Sequence, residues 1–160
     1  MHTVRNNFKN VSVSFKLKIS RFVSTPRTPA QAYDGVHIWL RYQSHDWLYF
    51  TSVARRDGQV VIGKKLPLGS SLQGGGAEAA GGIYFHEVRR PGHAFPLNTW
   101  QDVSATIQSA GDKVVVRLFI NRHQIARLTD TRQAILQPGA VGIRGDNTEF
   151  QFKDFQVAAL

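Results

Sequence analysis

A chain of 160 residues with 42% apolar content has the length of one domain and enough apolar mass for a packed core. Twenty lysines and arginines against eleven aspartates and glutamates give a net charge of +9, which favours a polyanionic partner or simply serves solubility. The lack of cysteine excludes disulfides, thiolate catalysis and thiolate metal sites, and no apolar run approaches the roughly 20 residues of a membrane-spanning helix.

The opening MHTVRNNFKN has no hydrophobic signal core. The chain therefore reads as cytosolic or as a domain of a longer exported protein, and the extracellular setting is the expectation. Residues 11–20, VSVSFKLKIS, alternate strictly, with Val11, Val13, Phe15, Leu17 and Ile19 on one face and Ser12, Ser14, Lys16 and Lys18 on the other. That is a half-buried strand. STPRTPAQ, residues 24–31, carries prolines and reads as a loop.

Residues 36–66 read as three strands, VHIWLRYQ, WLYFTSVARR and QVVIGKKL, joined by two tight turns. A three-residue loop of Ser44, His45 and Asp46 would pair Gln43 with Trp47, Arg41 with Tyr49 and Trp39 with Thr51. It would set Val36, Ile38 and Leu40 beside Leu48, Phe50 and Ala54 in the core. A two-residue Asp57-Gly58 turn would then bring Lys64 near Thr51, on the Trp39 side.

GSSLQGGGAEAAGG, residues 69–82, holds six glycines and reads as a flexible loop, a surface insertion or a flap over a site. It has no GKS/T and no following helix, so it is no phosphate cradle. A strand IYFHEV over residues 83–88 and a turn at Pro91-Gly92 follow. VSATIQ, KVVVRLFI, QIARL and AVGIRG are four more short strands, with turns at Gly111-Asp112, Asn121-Arg122 and Pro138-Gly139. EFQFKDFQVA breaks its alternation at Lys153-Asp154, the mark of a β-bulge. With no helical periodicity anywhere, the whole of 1–160 reads as one all-β domain, a sandwich or barrel.

Asn98-Thr99-Trp100, KVVVRLFINRHQIARLTD and PGAVGIRGDNTEFQFKDFQV together resemble the concanavalin A-like lectin/glucanase superfamily, in particular its laminin-G-like and family-16-glucanase-like bacterial members. The segment Gly139–Val157 carries the closing pattern of such domains, and the likeness extends over residues 8–158. It implies an antiparallel jelly-roll sandwich whose concave face holds a sugar chain. The edge strand that usually precedes the first long strand is missing here or squeezed into residues 1–8. The E-x-D-x-x-E run that gives family-16 glucanases their paired carboxylates is absent, since Glu78, Glu87 and Glu149 have no acidic partners at that spacing. Retaining glycosidase chemistry on that template is not expected.

The expected ligand is a glycan, an acidic polysaccharide for preference. Trp39, Trp47 and Tyr49 would stack on sugar rings, while His37, Arg41, Gln43 and Lys64 would bind carboxylate or sulfate groups. Tyr84 and His86 complete the residue types that jelly-roll polysaccharide lyases use, although the local motifs of those enzymes are lacking. A lyase or hydrolase on the same face is the second reading, and a structural or homo-oligomerising domain the third. No cofactor is expected, and no HxH or HxxxH pair marks a histidine metal site. Asp146 in the Gly145-Asp146-Asn147 turn, with Asp154, is the best candidate for holding a structural Ca²⁺. Nucleic acid is disfavoured because no helix-turn-helix, zinc finger or RNP-like motif occurs.

Overall fold

The computed structural model describes residues 1–67, the backbone of the strand Ile83–Arg90, and residues 95–160. Among them there is no helix long and apolar enough to cross a membrane. The strands run β1 (Val11–Phe22), β2 (Gly35–Ser44), β3 (Trp47–Arg55), β4 (Val60–Pro67), β5 (Ile83–Arg90), β6 (Gln101–Ala110), β7 (Lys113–Ile120), β8 (His123–Asp130), β9 (Ala140–Asp146) and β10 (Thr148–Ala159). They form two antiparallel five-stranded sheets, ordered β10-β1-β6-β7-β8 and β5-β4-β3-β2-β9. The expected single-domain antiparallel sandwich is what the chain builds.

The alternation of β1 explains its place at the centre. Val11, Val13, Phe15, Leu17 and Ile19 are all 4% exposed or less, and they pack against Val103, Ala105 and Ile107 of β6 and against the inner side of the other sheet. Each such side chain contributes roughly 2 kcal/mol of transfer free energy. The expected bulge is present in β10, where Asp154 takes a φ of 57° and the pairing jumps from Ser14–Gln156 to Lys16–Lys153. The jump lets Phe152 and Phe155 both pack on Phe15.

The first eight residues form no strand of their own but make isolated bridges to β9. His2 and Phe8 bridge Gly142 and Gly139 of β9, and Thr3 donates its N–H to the Val141 carbonyl at 2.8 Å. At the other end of the sandwich Asp34 is 1% exposed and gathers three segments. It accepts from the Gln31 N–H, from Arg56 Nε and from Asn147 Nδ2. Gly35 follows because nothing larger fits: a Cβ there would lie 1.8 Å from the Ala54 carbonyl oxygen.

The β2–β3 hairpin departs from its expected register. Its turn is the two residues His45-Asp46, closed by Ser44 opposite Trp47. Trp39 lies opposite Phe50 and Leu40 opposite Tyr49, with extra β2 residues accommodated in a bulge between Leu40 and Ser44. Arg41 sits in that bulge at a φ of 49°. The left-handed residue turns the strand, so Arg41 faces inward like Leu40 and the next outward side chain is Tyr42. Leu48 and Phe50, expected in the main core, instead pack on the outer face with Val61, Trp39 and Tyr42. The β3–β4 connection is also wider than two residues, and Lys64 pairs with Tyr49 rather than standing near Thr51. The glycine-rich stretch 69–82 and the Pro91-Gly92 turn lie outside the described residues.

Candidate functional site

The outer face of the second sheet is built in rungs. One rung runs Arg144, His37, Ser52, Val61 and the next Gly142, Trp39, Phe50, Gly63, across β9, β2, β3 and β4. Leu48, Phe50 and Val61 form an apolar floor against which Trp39 and Tyr42 pack. The Trp39 and Tyr42 rings stack at 4.9 Å with 8° between their planes, and His2 stacks on Tyr42 at 5.0 Å. Tyr42 is thus stacked on by both His2 and Trp39, and the three side chains restrain one another on the apolar floor.

Arg144 ties polar groups to this platform. Its guanidinium lies 5.9 Å from the Trp39 ring centre, Nε donates to Asp146 Oδ1 at 2.6 Å, and Nη1 donates to His45 Nε2 at 3.0 Å. A guanidinium N–H only donates, so His45 Nε2 is the accepting nitrogen of its ring. His45 Nδ1 then carries the proton and donates to Asp46 Oδ1 at 3.0 Å, while the ring meets Trp39 edge-on at 6.4 Å. His45 thus links the hairpin tip to β9.

Beneath them His37 Nδ1 lies 2.8 Å from Ser52 Oγ, and its Nε2 lies 3.3 Å from Asp146 Oδ2, an electrostatic contact without good hydrogen-bond alignment. The serine, histidine and aspartate stand in the order of a nucleophilic triad. Ser52 is 0% exposed, however, so no substrate reaches its hydroxyl and the group acts as a strut. Burial pushes the Asp146 carboxyl up, but the close contact of His37 and the bond and charge of Arg144 outweigh it and hold the group below the ordinary carboxylate range.

The common surface expected for Trp39, Arg41, Tyr49 and Lys64 does not form. Arg41, Tyr49 and Lys64 are all 0% exposed and point between the sheets. Arg41 donates to the Lys9 carbonyl at 2.9 Å, the Ile135 carbonyl at 2.6 Å, Asn10 Oδ1 at 3.3 Å and Ser109 Oγ at 2.8 Å. It fastens three chain segments and, fully buried, is out of a ligand's reach. The Tyr49 hydroxyl donates to Asp130 Oδ2 at 2.5 Å and accepts from the Ile135 N–H at 3.2 Å. Burial, then the bond to Asp130, raises its pKa beyond use as a proton shuttle. Tyr49 thus drops out as a proton carrier of the lyase reading, whose other candidates, Tyr84 and His86, have side chains outside the described residues.

The other expected residues are dispersed. His37 and Trp39 do face outward together, as the β2 alternation requires. Trp47 is 38% exposed at the hairpin, and exposed Gln43 donates through Nε2 to the Pro138 carbonyl. The backbones of Tyr84 and His86 pair with Leu66 and Lys64, and their side chains lie outside the described residues. Asp146 is engaged by Arg144 and His37, whereas Asp154 lines a cleft with Lys16, Asp102 and Arg122. The two carboxylates keep separate company, and among the described residues no three His, Cys, Asp or Glu gather as metal ligands.

Tyr42, His45 and Arg144 are the members that sequence reading missed. Arg144 was legible in principle, because Val141 and Ile143 point inward and the residue between or after them must point out.

No family model matches the sequence, and no curated protein matches it. Solved structures do. The galectin LEC-6 of Caenorhabditis elegans is similar at a TM-score of 0.57 and 17% identity, over 99% of this chain and 89% of that one. A legume lectin-like domain from Entamoeba histolytica is similar at 0.51 and 9% identity, over 100% and 76%. The fold is the concanavalin A-like jelly roll. In this jelly roll the Trp39 platform occupies the outer side of the β5-β4-β3-β2-β9 sheet, beside the bulge that carries Arg41.

Proposed function

We propose that this jelly roll is a lectin-like carbohydrate-binding domain whose ligand is an acidic or anionic polysaccharide, held without bond breaking. The closing pattern of the Gly139–Val157 segment supports, as part of this proposal, a kinship with the laminin-G-like and family-16-glucanase-like bacterial members of the superfamily. The observation that carries the reading is the joining of Trp39, Tyr42, His45 and Arg144 into one outward-facing cluster, with Trp47 exposed on the adjoining hairpin. Aromatic rings suit the C–H faces of a pyranose. Arg144 spends two of its five N–H donors on Asp146 and His45, and the rest suit a planar carboxylate or a sulfate. Two structures of similar fold are named as a galectin and a legume lectin-like domain, which supports a sugar as the ligand.

The test is a glycan array at low and moderate salt with wild-type protein, Arg144→Ala and Trp47→Ala. Binding to uronate or sulfated chains that weakens with salt is expected, with about a tenfold loss in each variant, the order of one charge-assisted or stacking contact. An array that stays blank, or affinity that survives both substitutions, overturns the reading.

A further inference from the structure

We infer that the opposite face of the molecule, the outer side of the β10-β1-β6-β7-β8 sheet, is a second binding surface, and that it takes the carboxylate or sulfate groups of an anionic polysaccharide. This is independent of the Trp39 cluster, which lies on the other sheet.

Trp100 lies just before β6 and is 37% exposed. Two ammonium groups converge on its ring, Lys18 Nζ at 5.1 Å from β1 and Lys153 Nζ at 4.7 Å from β10. Lys153 stands directly opposite Lys16 in the β1–β10 ladder, and on the same sheet Arg117 of β7 stands directly opposite Arg127 of β8. Like charges directly across a ladder repel and destabilise it. Two such pairs on one sheet are a standing cost that a bound anion removes. Lys16 is partly neutralised by Asp102 at 2.6 Å, and Arg21 by Glu149 at 2.6 Å, so Lys18, Lys153, Arg117 and Arg127 carry the excess.

On the same sheet, beside Lys16, opens a cleft of about 410 Å³ lined among others by Ser14, Ser104, Gln156 and Arg122 and by the carboxylates of Asp102 and Asp154. Hydroxyl and amide side chains interleaved with cations match a polymer that bears both hydroxyls and negative charges. Single-stranded nucleic acid takes successive aromatic rings to stack its bases, and here Trp100 is the one strongly exposed ring among the described residues of this side. Duplex DNA takes an element that projects into its groove, which the strand face of a sheet does not supply.

The experiment titrates the full chain with three probes: dextran sulfate, uncharged dextran, and a single-stranded DNA oligonucleotide at equal charge concentration. Wild type is compared with Lys18→Gln/Lys153→Gln, with Arg117→Gln/Arg127→Gln, and with Arg144→Ala on the other face. Expected are salt-sensitive binding of dextran sulfate, none of dextran, and about a tenfold loss in each double variant, as for removal of charge-assisted contacts. The thermal midpoint of the unliganded double variants should hold or rise, which separates lost binding from lost folding. Affinity within twofold of wild type in both double variants overturns the inference, as does tighter binding of the oligonucleotide than of dextran sulfate. Loss confined to Arg144→Ala also overturns it, while leaving the Trp39 cluster as the sugar site.

Discussion

Lys64 Nζ sits 2.6 Å from Asp130 Oδ2, and both side chains are 0% exposed. The pair joins β4 of one sheet to β8 of the other across the interlayer. It is the hub of a network, since Asp130 also accepts from the Tyr49 hydroxyl and the Arg132 N–H, and Lys64 also donates to the carbonyls of Arg132 and Gln133. Burial pushes the Lys64 ammonium pKa down while Asp130 opposes the shift. A charge pair this deep is held for geometry more than for net stability, because desolvation consumes most of its Coulomb gain.

Breaking the pair on one side therefore costs more than removing it. Lys64→Met leaves Asp130 buried and uncompensated and should destabilise by roughly 3–5 kcal/mol. Lys64→Met with Asp130→Asn should recover part of that loss. Urea midpoints at constant m-value read the difference, and a double variant no better than the single would refute the account.

Arg41 combines a positive φ with buried hydrogen bonds, and substitutions separate the two. Arg41→Ala strips donors from the Lys9 and Ile135 carbonyls and keeps the unfavourable φ of 49°. A loss of about 3 kcal/mol or more is expected from the orphaned acceptors. Arg41→Gly loses the same bonds but relieves the backbone, so it should be about 1 kcal/mol more stable than Arg41→Ala. Arg41→Lys should not rescue, because one ammonium cannot reach acceptors spread over three segments. Chemical denaturation of the three variants ranks them.

Asp146 sets an acid limit. Its folded-state pKa is depressed, so its contribution is full above the ordinary carboxylate range and is lost as pH falls through the depressed value. Urea midpoints of wild type and Asp146→Asn should differ most near neutral pH and converge towards acid. A gap that is constant with pH would place the effect in packing rather than charge.

How far the chain could be read in advance depended on where the chemistry was local. β1 announced itself because its alternation needs no partner to be recognised, and the Lys153-Asp154 phase break was a usable sign of the bulge. The Arg41 bulge was not visible, because a left-handed arginine carries no glycine or asparagine to mark it. That single residue reversed the facing of its own side chain and moved Tyr42 outward. Tyr49 and Lys64 read as surface groups because their partner, Asp130, lies 66 residues beyond Lys64 in the chain. Arg144 and His45 are 99 residues apart and meet only after β9 pairs with β2. Fold class was thus legible from local pattern, whereas the membership of the outer face depended on long-range register.

Glycines at the start of β2 and in the β3–β4 turn test the difference between crowding and conformation. Gly35 and Gly58 both have positive φ, 155° and 71°. A Cβ on Gly35 would meet the Ala54 carbonyl oxygen at 1.8 Å, while one on Gly58 would meet nothing within 4 Å. Gly58→Ala should therefore cost only the backbone term, about 1 kcal/mol. Gly35→Ala must in addition push β2 away from β3 at the Gly35–Arg55 pair, next to the Asp34 clamp, and should cost several times as much. Thermal midpoints of the two variants, measured side by side, decide this. Equal losses would mean that the strands separate freely at Gly35, and that Asp34 with its three partners does not hold that end of the sandwich closed.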